Sequence, residues 1–170
     1  MKTFGLLFIT LLLFYACTNK SGISSVDPVN WEKRKAEIGP VDSLLAGSTY
    51  LPVYSQIYHL HERETYGLTV TVSIRNISPV DTVFLLNANY FNTTGEQIRR
   101  YFNHPVFIKP LETIEIVIDE TDNSGGTGAN FVFDWATKPA CHEPLFEAVM
   151  ISTTGQQGLS FLTRGIKISK

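Results

Sequence analysis

The sequence predicts an all-β fold, an immunoglobulin-like antiparallel β-sandwich of seven to eight strands, preceded by a leader and a tether. Three observations lead there. Apolar and polar residues alternate in "LTVTVSIRN", which sets Leu68, Val70, Val72 and Ile74 on one face and Thr69, Thr71, Ser73 and Arg75 on the other. Turn-forming clusters recur between runs of this kind. No segment among them has the length of a crossover helix, which argues against a parallel sheet.

The leader comes first. Met1-Lys2-Thr3 gives a short positive start, and Phe4 to Ala16 is an uncharged, almost wholly apolar run of thirteen residues. That falls short of the about 20 residues a membrane-spanning helix needs and has the form of a secretory signal over residues 1–16. Cys17 follows Leu13-Phe14-Tyr15-Ala16, a stretch that resembles the lipobox of bacterial lipoproteins, with a small residue before the cysteine. The resemblance implies cleavage after Ala16 and acylation of Cys17, by palmitate or similar chains. Each buried methylene contributes about 0.8 kcal/mol, so two or three chains hold a protein to a membrane durably. Thr18, rather than Asp, after the cysteine implies the outer membrane, with the protein facing the periplasm.

Lipidation at Cys17 leaves Cys141 alone, so no disulfide is expected. The chain carries 14 Lys and Arg against 16 Asp and Glu. Losing Lys2 with the leader leaves a net charge of about −3 and no large positive field, which excludes nucleic acid as a natural partner.

Residues 17–45 read as a lipidated N-terminus and tether, because "TNKSGISSVDP" is polar and rich in small residues. Asp27-Pro28 forms a candidate N-cap and Gly39-Pro40 a stop, which predicts a short helix over Val29–Ile38. Lys33-Arg34-Lys35, flanked by Glu32 and Glu37, reads as a solvated face before it reads as a lipid-headgroup contact.

The sandwich is assigned to residues 46–170 as one domain without internal repeats. Its expected strands are "TYLPVYSQIY", "LTVTVSIRN", "DTVFLLNANYF", "IRRYFNHPVFI", "TIEIVID", "NFVFDW", "LFEAVMIST" and "LSFLTRGIKIS". In the fifth, Ile114, Ile116 and Ile118 point inward; in the sixth, Phe131, Phe133 and Trp135 do. Turns are expected at Asn76–Asp81, Asn92–Gly95, Lys109-Pro110, Lys138-Pro139 and Thr154–Gly158. The segments "YLPVYSQIY", "LTVTVSIRNIS", "SGGTGANFVFDW", "EPLFEAVMIST" and "QQGLSFLTRG", in that order, resemble an uncharacterised family of bacterial lipoproteins, domain of unknown function 3124. The match covers about Ser48 to Ile168. It implies fold and export and supplies no catalytic residue.

The stretch "DETDNSGGTGANFVFDW" raises the question of what its glycines do. A phosphate loop would open a helix and supply a lysine. Here Gly125, Gly126 and Gly128 lead into a strand, so no nucleotide is expected. Glu120, Asp122 and Ser124, with Gly125 sixth, resemble the first half of an EF-hand, but Phe131 stands where a bidentate glutamate is required. "GGTGANFVF" resembles one calcium-binding nonapeptide, a unit that binds only between stacked copies. The first reading is a hairpin connection shaped by glycine, with Asn123 and Asn130 bonding local backbone. The second is a recognition loop formed by Asp122, Asn123, Ser124, Gly125, Gly126, Gly128 and Asn130. Calcium comes third.

Other constellations carry less. His59 and His61 lie two apart, a candidate metal pair with Cys141-His142, but the adjacent Cys-His spacing does not suit copper. Glu62, Glu64, Glu143 and Glu147 supply carboxylates without evidence of a shared pocket. Ser124 lacks the nucleophile-elbow pattern. Tyr50, Tyr54, Tyr58, Tyr90 and Tyr101 could rim the sandwich or form a contact platform. The expectation is therefore a noncatalytic, membrane-anchored envelope lipoprotein without a cofactor, binding an envelope protein or a surface polymer. The alternative is a metal-binding envelope protein using Glu120, Asp122 and Ser124 or His59 and His61.

Overall fold

The computed structural model describes residues 29–39, 43–153 and 158–169. The leader, Cys17, the Asp27-Pro28 cap, Pro40 and most of the Thr154–Gly158 turn lie outside the described residues. Within them the chain forms β1 (Leu45–Val53), β2 (Gln56–His59), β3 (His61–Gly67), β4 (Thr69–Arg75), β5 (Val83–Phe91) and β6 (Gln97–Arg100). Next along the chain are β7 (Val106–Ile108), β8 (Thr113–Ile118), β9 (Ala129–Thr137), β10 (Leu145–Ser152), β11 (Leu159–Arg164) and β12 (Ile166–Ile168).

Every strand pairing is antiparallel, and the main strands form two sheets packed as a sandwich. One sheet runs β12-β1-β9-β5-β6, with β7 also on β5; the other runs β11-β10-β4-β8. A separate ribbon, β2-β3, stands beside them. The expected strands are all present. Three of them divide where pairing partners change: between β1 and β2 at Tyr54-Ser55, between β6 and β7 across Tyr101–Pro105, and between β11 and β12 at Gly165. β3 has no counterpart in the alternation pattern, because His61 to Thr65 are all exposed.

The core lies between the sheets. Val70, Val72 and Ile74 of β4, Ile114, Ile116 and Ile118 of β8, and Phe131, Phe133 and Trp135 of β9 are buried as their alternation predicts. Phe133 of the first sheet and Phe146 of the second stack across the interface at 4.6 Å between centroids. Phe131 continues the aromatic layer, 5.3 Å from Phe133. Each such side chain contributes roughly 1.5–3 kcal/mol on burial.

The outer face of the second sheet also carries apolar residues. Leu162, Val149, Thr71 and Val117 stand side by side across β11, β10, β4 and β8. Glu147 beside them pairs with Arg75 and Arg164, each at 3.4 Å.

The two flanks of the sandwich are covered by different parts of the chain. At Gly165 the chain passes from β11 in the second sheet to β12 on β1 in the first, which closes one side. At the other side, residues 29–36 pack on the body. Trp31 tilts against Phe102 at 4.9 Å, Arg34 holds Glu112 at 2.7 and 3.1 Å, and Lys35 bridges Val106. The helix expected over Val29–Ile38 is instead a single 3-10 turn, Glu32–Arg34. Asn30 Oδ1 accepts from the Lys33 N–H at 3.1 Å and caps this turn, but pairing at Lys35 draws the chain into extended backbone before a second turn forms.

Candidate functional site

The glycine stretch joins β8 to β9 at one end of the sandwich. Asp119 accepts hydrogen bonds from the Thr121 backbone N–H at 2.8 Å and its hydroxyl at 2.7 Å, which turns the chain inward. These bonds hold the Asp119 carboxyl below its ordinary pKa. Asp122 is buried. Its Oδ1 accepts from the Ser124 N–H at 3.2 Å and hydroxyl at 2.5 Å, and its Oδ2 lies 2.8 Å from Arg99 Nη2. Burial opposes the charge on Arg99, but hydrogen bonds to Asp122 and Tyr101 outweigh it and raise the guanidinium pKa.

Asn123–Gly128 then forms two short 3-10 turns kinked at Gly126, whose φ of 74° and ψ of −156° lie in a region essentially reserved for glycine. Gly125 is required for a different reason. A Cβ there would lie 1.9 Å from the Tyr90 hydroxyl. That hydroxyl is itself buried, which pushes its pKa well above the usual tyrosine range.

Three polar residues from distant parts of the chain fasten the loop: Thr93 after β5, Ser55 between β1 and β2, and Gln56 at the start of β2. Thr93 donates its N–H and hydroxyl to the Gly125 carbonyl at 3.0 and 3.1 Å, and its hydroxyl oxygen accepts from the Gly128 N–H at 2.9 Å. Ser55 donates its N–H and hydroxyl to the Gly126 carbonyl at 3.2 and 3.1 Å. Gln56 donates to the Asn123 carbonyl at 3.3 Å. Backbone carbonyls that a glycine loop would otherwise leave to water thus have side-chain partners.

Ser55 and Gln56 also begin the β2-β3 ribbon, so loop and ribbon are one unit. The ribbon rises beside the loop as an arm. At its tip Leu60 is 82% exposed with a φ of 60°, and Tyr58 is 62% exposed. His59 and His61 face each other as cross-strand partners below the tip. The His59 ring stacks on Tyr66 at 3.9 Å, with Nε2 2.8 Å from the tyrosine hydroxyl. His61 accepts from the Arg63 N–H at 3.2 Å through Nδ1, and its Nε2 lies 3.8 Å from Glu64.

The residues singled out by sequence therefore separate. Asn123, Ser124 and Gly128 are exposed, Asp122 and Gly125 are buried, and Asn130 sits half-buried in β9 opposite Pro52 and Phe91. Glu120, Asp122 and Ser124 do not converge on one point: Asp122 is turned to Arg99, and the Ser124 hydroxyl donates to Asp122. Among the described residues no group of three His, Cys, Asp or Glu side chains is placed to hold a metal ion. The tyrosines form no single platform. Tyr54 packs edge-on to Phe161, Tyr90 and Tyr101 flank Arg99, and Tyr58 projects from the arm. Glu147 pairs with arginines, and Glu143 with Lys167. The residues that hold the loop, Ser55, Tyr90, Thr93 and Arg99, carry no local signal; the hydrogen-bonding ones reach partners 23 to 71 positions away.

The arrangement presents a braced, partly apolar projection with polar backbone turns beside it. No curated protein matches the chain. A solved structure, described as "Crystal Structure of Thermotoga maritima 1070", is similar over 71% of this chain and 94% of that one, at 9% identity and a TM-score of 0.42. The family model described as "Protein of unknown function (DUF3124)" matches residues 46–168, from β1 through β12, and the chain belongs to that family.

Proposed function

We propose that this chain is a lipid-anchored protein of the bacterial cell envelope, acylated at Cys17, and that it works without catalysis as a binding module for another envelope protein. The contact surface is the arm tip, Tyr58 and Leu60, together with the exposed turn at Asn123 and Ser124. The observation that carries this reading is the exposure of two large apolar side chains on a ribbon whose base is fixed by Ser55 and Gln56. A rigid scaffold presenting exposed apolar and aromatic groups is the usual form of a recognition element, since little ordering entropy is lost on contact.

The test is site-specific photo-crosslinking in intact cells. A photoreactive residue at Tyr58 or Leu60 should capture one protein partner, whereas the same residue at Val80, equally exposed at the opposite end, should not. Equal capture from Val80 would overturn the assignment of the surface. Metabolic labelling with palmitate, retained by the chain and lost in Cys17→Ser, checks the anchor independently.

A further inference from the structure

Among the described residues two side chains other than glycine's sit at positive φ, and both are exposed leucines. Leu60 tips the arm. Leu111 lies in the connection from β7 to β8, at the opposite end of the sandwich. Its turn closes with the Glu112 N–H on the Lys109 carbonyl at 3.1 Å, and its φ of 59° falls where such a turn takes glycine or asparagine. At 68% exposed, Leu111 has little burial to offset the cost of that conformation.

Strained backbone persists only where its surroundings fix it. Leu111 donates its N–H to the Ser78 carbonyl at 3.0 Å. Buried Asn76 ties the same two connections together, its N–H on the Glu112 carbonyl at 2.9 Å and its side-chain amide on the carbonyls of Lys109 and Asp81 at 3.0 and 2.7 Å. The Ser78 hydroxyl accepts from the Asp81 N–H at 3.0 Å. The β4–β5 and β7–β8 connections thereby form one platform, which carries exposed Ile77 and Val80, the latter 78% exposed, as well as Leu111. A single exposed apolar residue is ordinary, whereas three on one laced platform make a contact surface.

The path of the chain and the charge select the occupant. Val29, the first described residue, lines one cavity with Lys33, Lys109, Glu112 and Glu115, so the upstream chain joins the fold beside the Leu111 turn. On the reading that Cys17 is acylated, on which this inference rests, about a dozen residues separate the lipid from Val29, at most roughly 40 Å of extended chain. The nine-residue β1 alone spans about 30 Å. The bilayer therefore stays within reach of the platform, and at such an effective concentration a contact of a few side chains suffices. Asp81 is held by Lys138 at 2.8 Å and Glu112 by Arg34 at 2.7 Å, while exposed Lys109 stands in the Leu111 turn and exposed Lys33 lies across the cavity from it. Cations so placed suit anionic headgroups. We infer that Ile77, Val80 and Leu111 enter the bilayer that holds the acyl chains, with Lys33 and Lys109 at its headgroups.

The experiment reconstitutes the full chain, in a Cys141→Ser background, into vesicles of phosphatidylethanolamine and phosphatidylglycerol. One added cysteine, Val80→Cys, Leu111→Cys or, on the arm, Glu62→Cys, carries a polarity-sensitive fluorophore. Flotation with the vesicles reports the anchor, and quenching reports the surface. Labels at 80 and 111 should be quenched several-fold more than the label at 62 by a spin-labelled lipid, and several-fold less by aqueous iodide. Leu111→Gly gives the turn the residue its φ favours, so the label at 80 should lose most of its lipid quenching while the melting temperature holds or rises. A chain that fails to float removes the anchor reading and this inference with it. A chain that floats with positions 80 and 111 as open to iodide as position 62 leaves the anchor standing and overturns the platform contact alone. A lower melting temperature in Leu111→Gly with quenching unchanged would assign Leu111 to the fold and overturn it too, as would capture of a protein, in place of lipid, by a photoreactive residue at Val80.

Discussion

Asp122 and Arg99 meet at 2.8 Å with the carboxylate side chain 5% exposed and the guanidinium 31% exposed, so the pair is sealed on its acidic side and open on its basic side. The asymmetry decides which partner is the more costly to remove. Asp122→Ala strips the loop of both its ion pair and its cap to Ser124, and should cost about 2 kcal/mol, between the values for surface and buried pairs. Arg99→Met leaves a buried carboxylate without its cation and should cost at least as much. Urea denaturation of both variants and the double mutant measures the coupling, which should be non-additive.

The glycines rank by geometry. Gly125→Ala drives a methyl into the Tyr90 hydroxyl and should destabilise by about 1–3 kcal/mol, the usual cost of overpacking. Gly126→Val should cost a similar amount through backbone strain. Gly128→Ala, whose nearest new neighbour would be Thr93 Cγ2 at 3.4 Å, should be the mildest of the three. Thermal unfolding that ranks them otherwise would mean the loop relaxes away from Tyr90.

Val72 is fully buried and Thr71, its neighbour, stands on the outer face between Val149 and Val117. Val72→Asp buries an unpaired charge and should cost several kcal/mol, enough to unfold a domain of ordinary stability. Thr71→Asp should remain folded. Circular dichroism at room temperature is sufficient to separate them.

Glu112 is held below its ordinary pKa of 4.5, first by its hydrogen bonds from Arg34. A carboxyl depressed in the folded state stabilises fully above its unfolded pKa, and that contribution is lost as pH falls through the lower folded value. Stability should therefore decline below about pH 4.5, and Arg34→Met should flatten the part of the decline that belongs to this group. A decline equally steep in Arg34→Met would assign the acid limb to other carboxylates.

Much of the sandwich was legible because burial on one face writes itself into alternation: β8 follows its pattern residue by residue, and β4 and β9 depart from theirs only at Ser73, expected on the outer face but buried, and at Ala136. β3 was not legible because neither of its faces is buried; pairing with β2 makes it a strand. The split at Gly165 was hidden in a continuous strand-like run, since a change of sheet leaves no mark in periodicity. The glycine loop was legible as a turn. Its anchoring was not, because Ser55, Thr93 and Arg99 read locally as ordinary polar residues, and only the fold brings Ser55 to a carbonyl 71 positions later.

The crossover at Gly165 has a consequence for how the molecule comes into being. β1 is flanked in its sheet by β9 and β12, and the nearer of these in sequence begins at Ala129. A nascent chain that has emerged only as far as β6 has the first strand of its sandwich and neither of that strand's neighbours. Pairings at such separations are slow to form, and here one of them waits for Ile166–Ile168 to be made. The first strand is thus kept without a partner in its sheet until β9 has emerged, and its second partner joins only after β11.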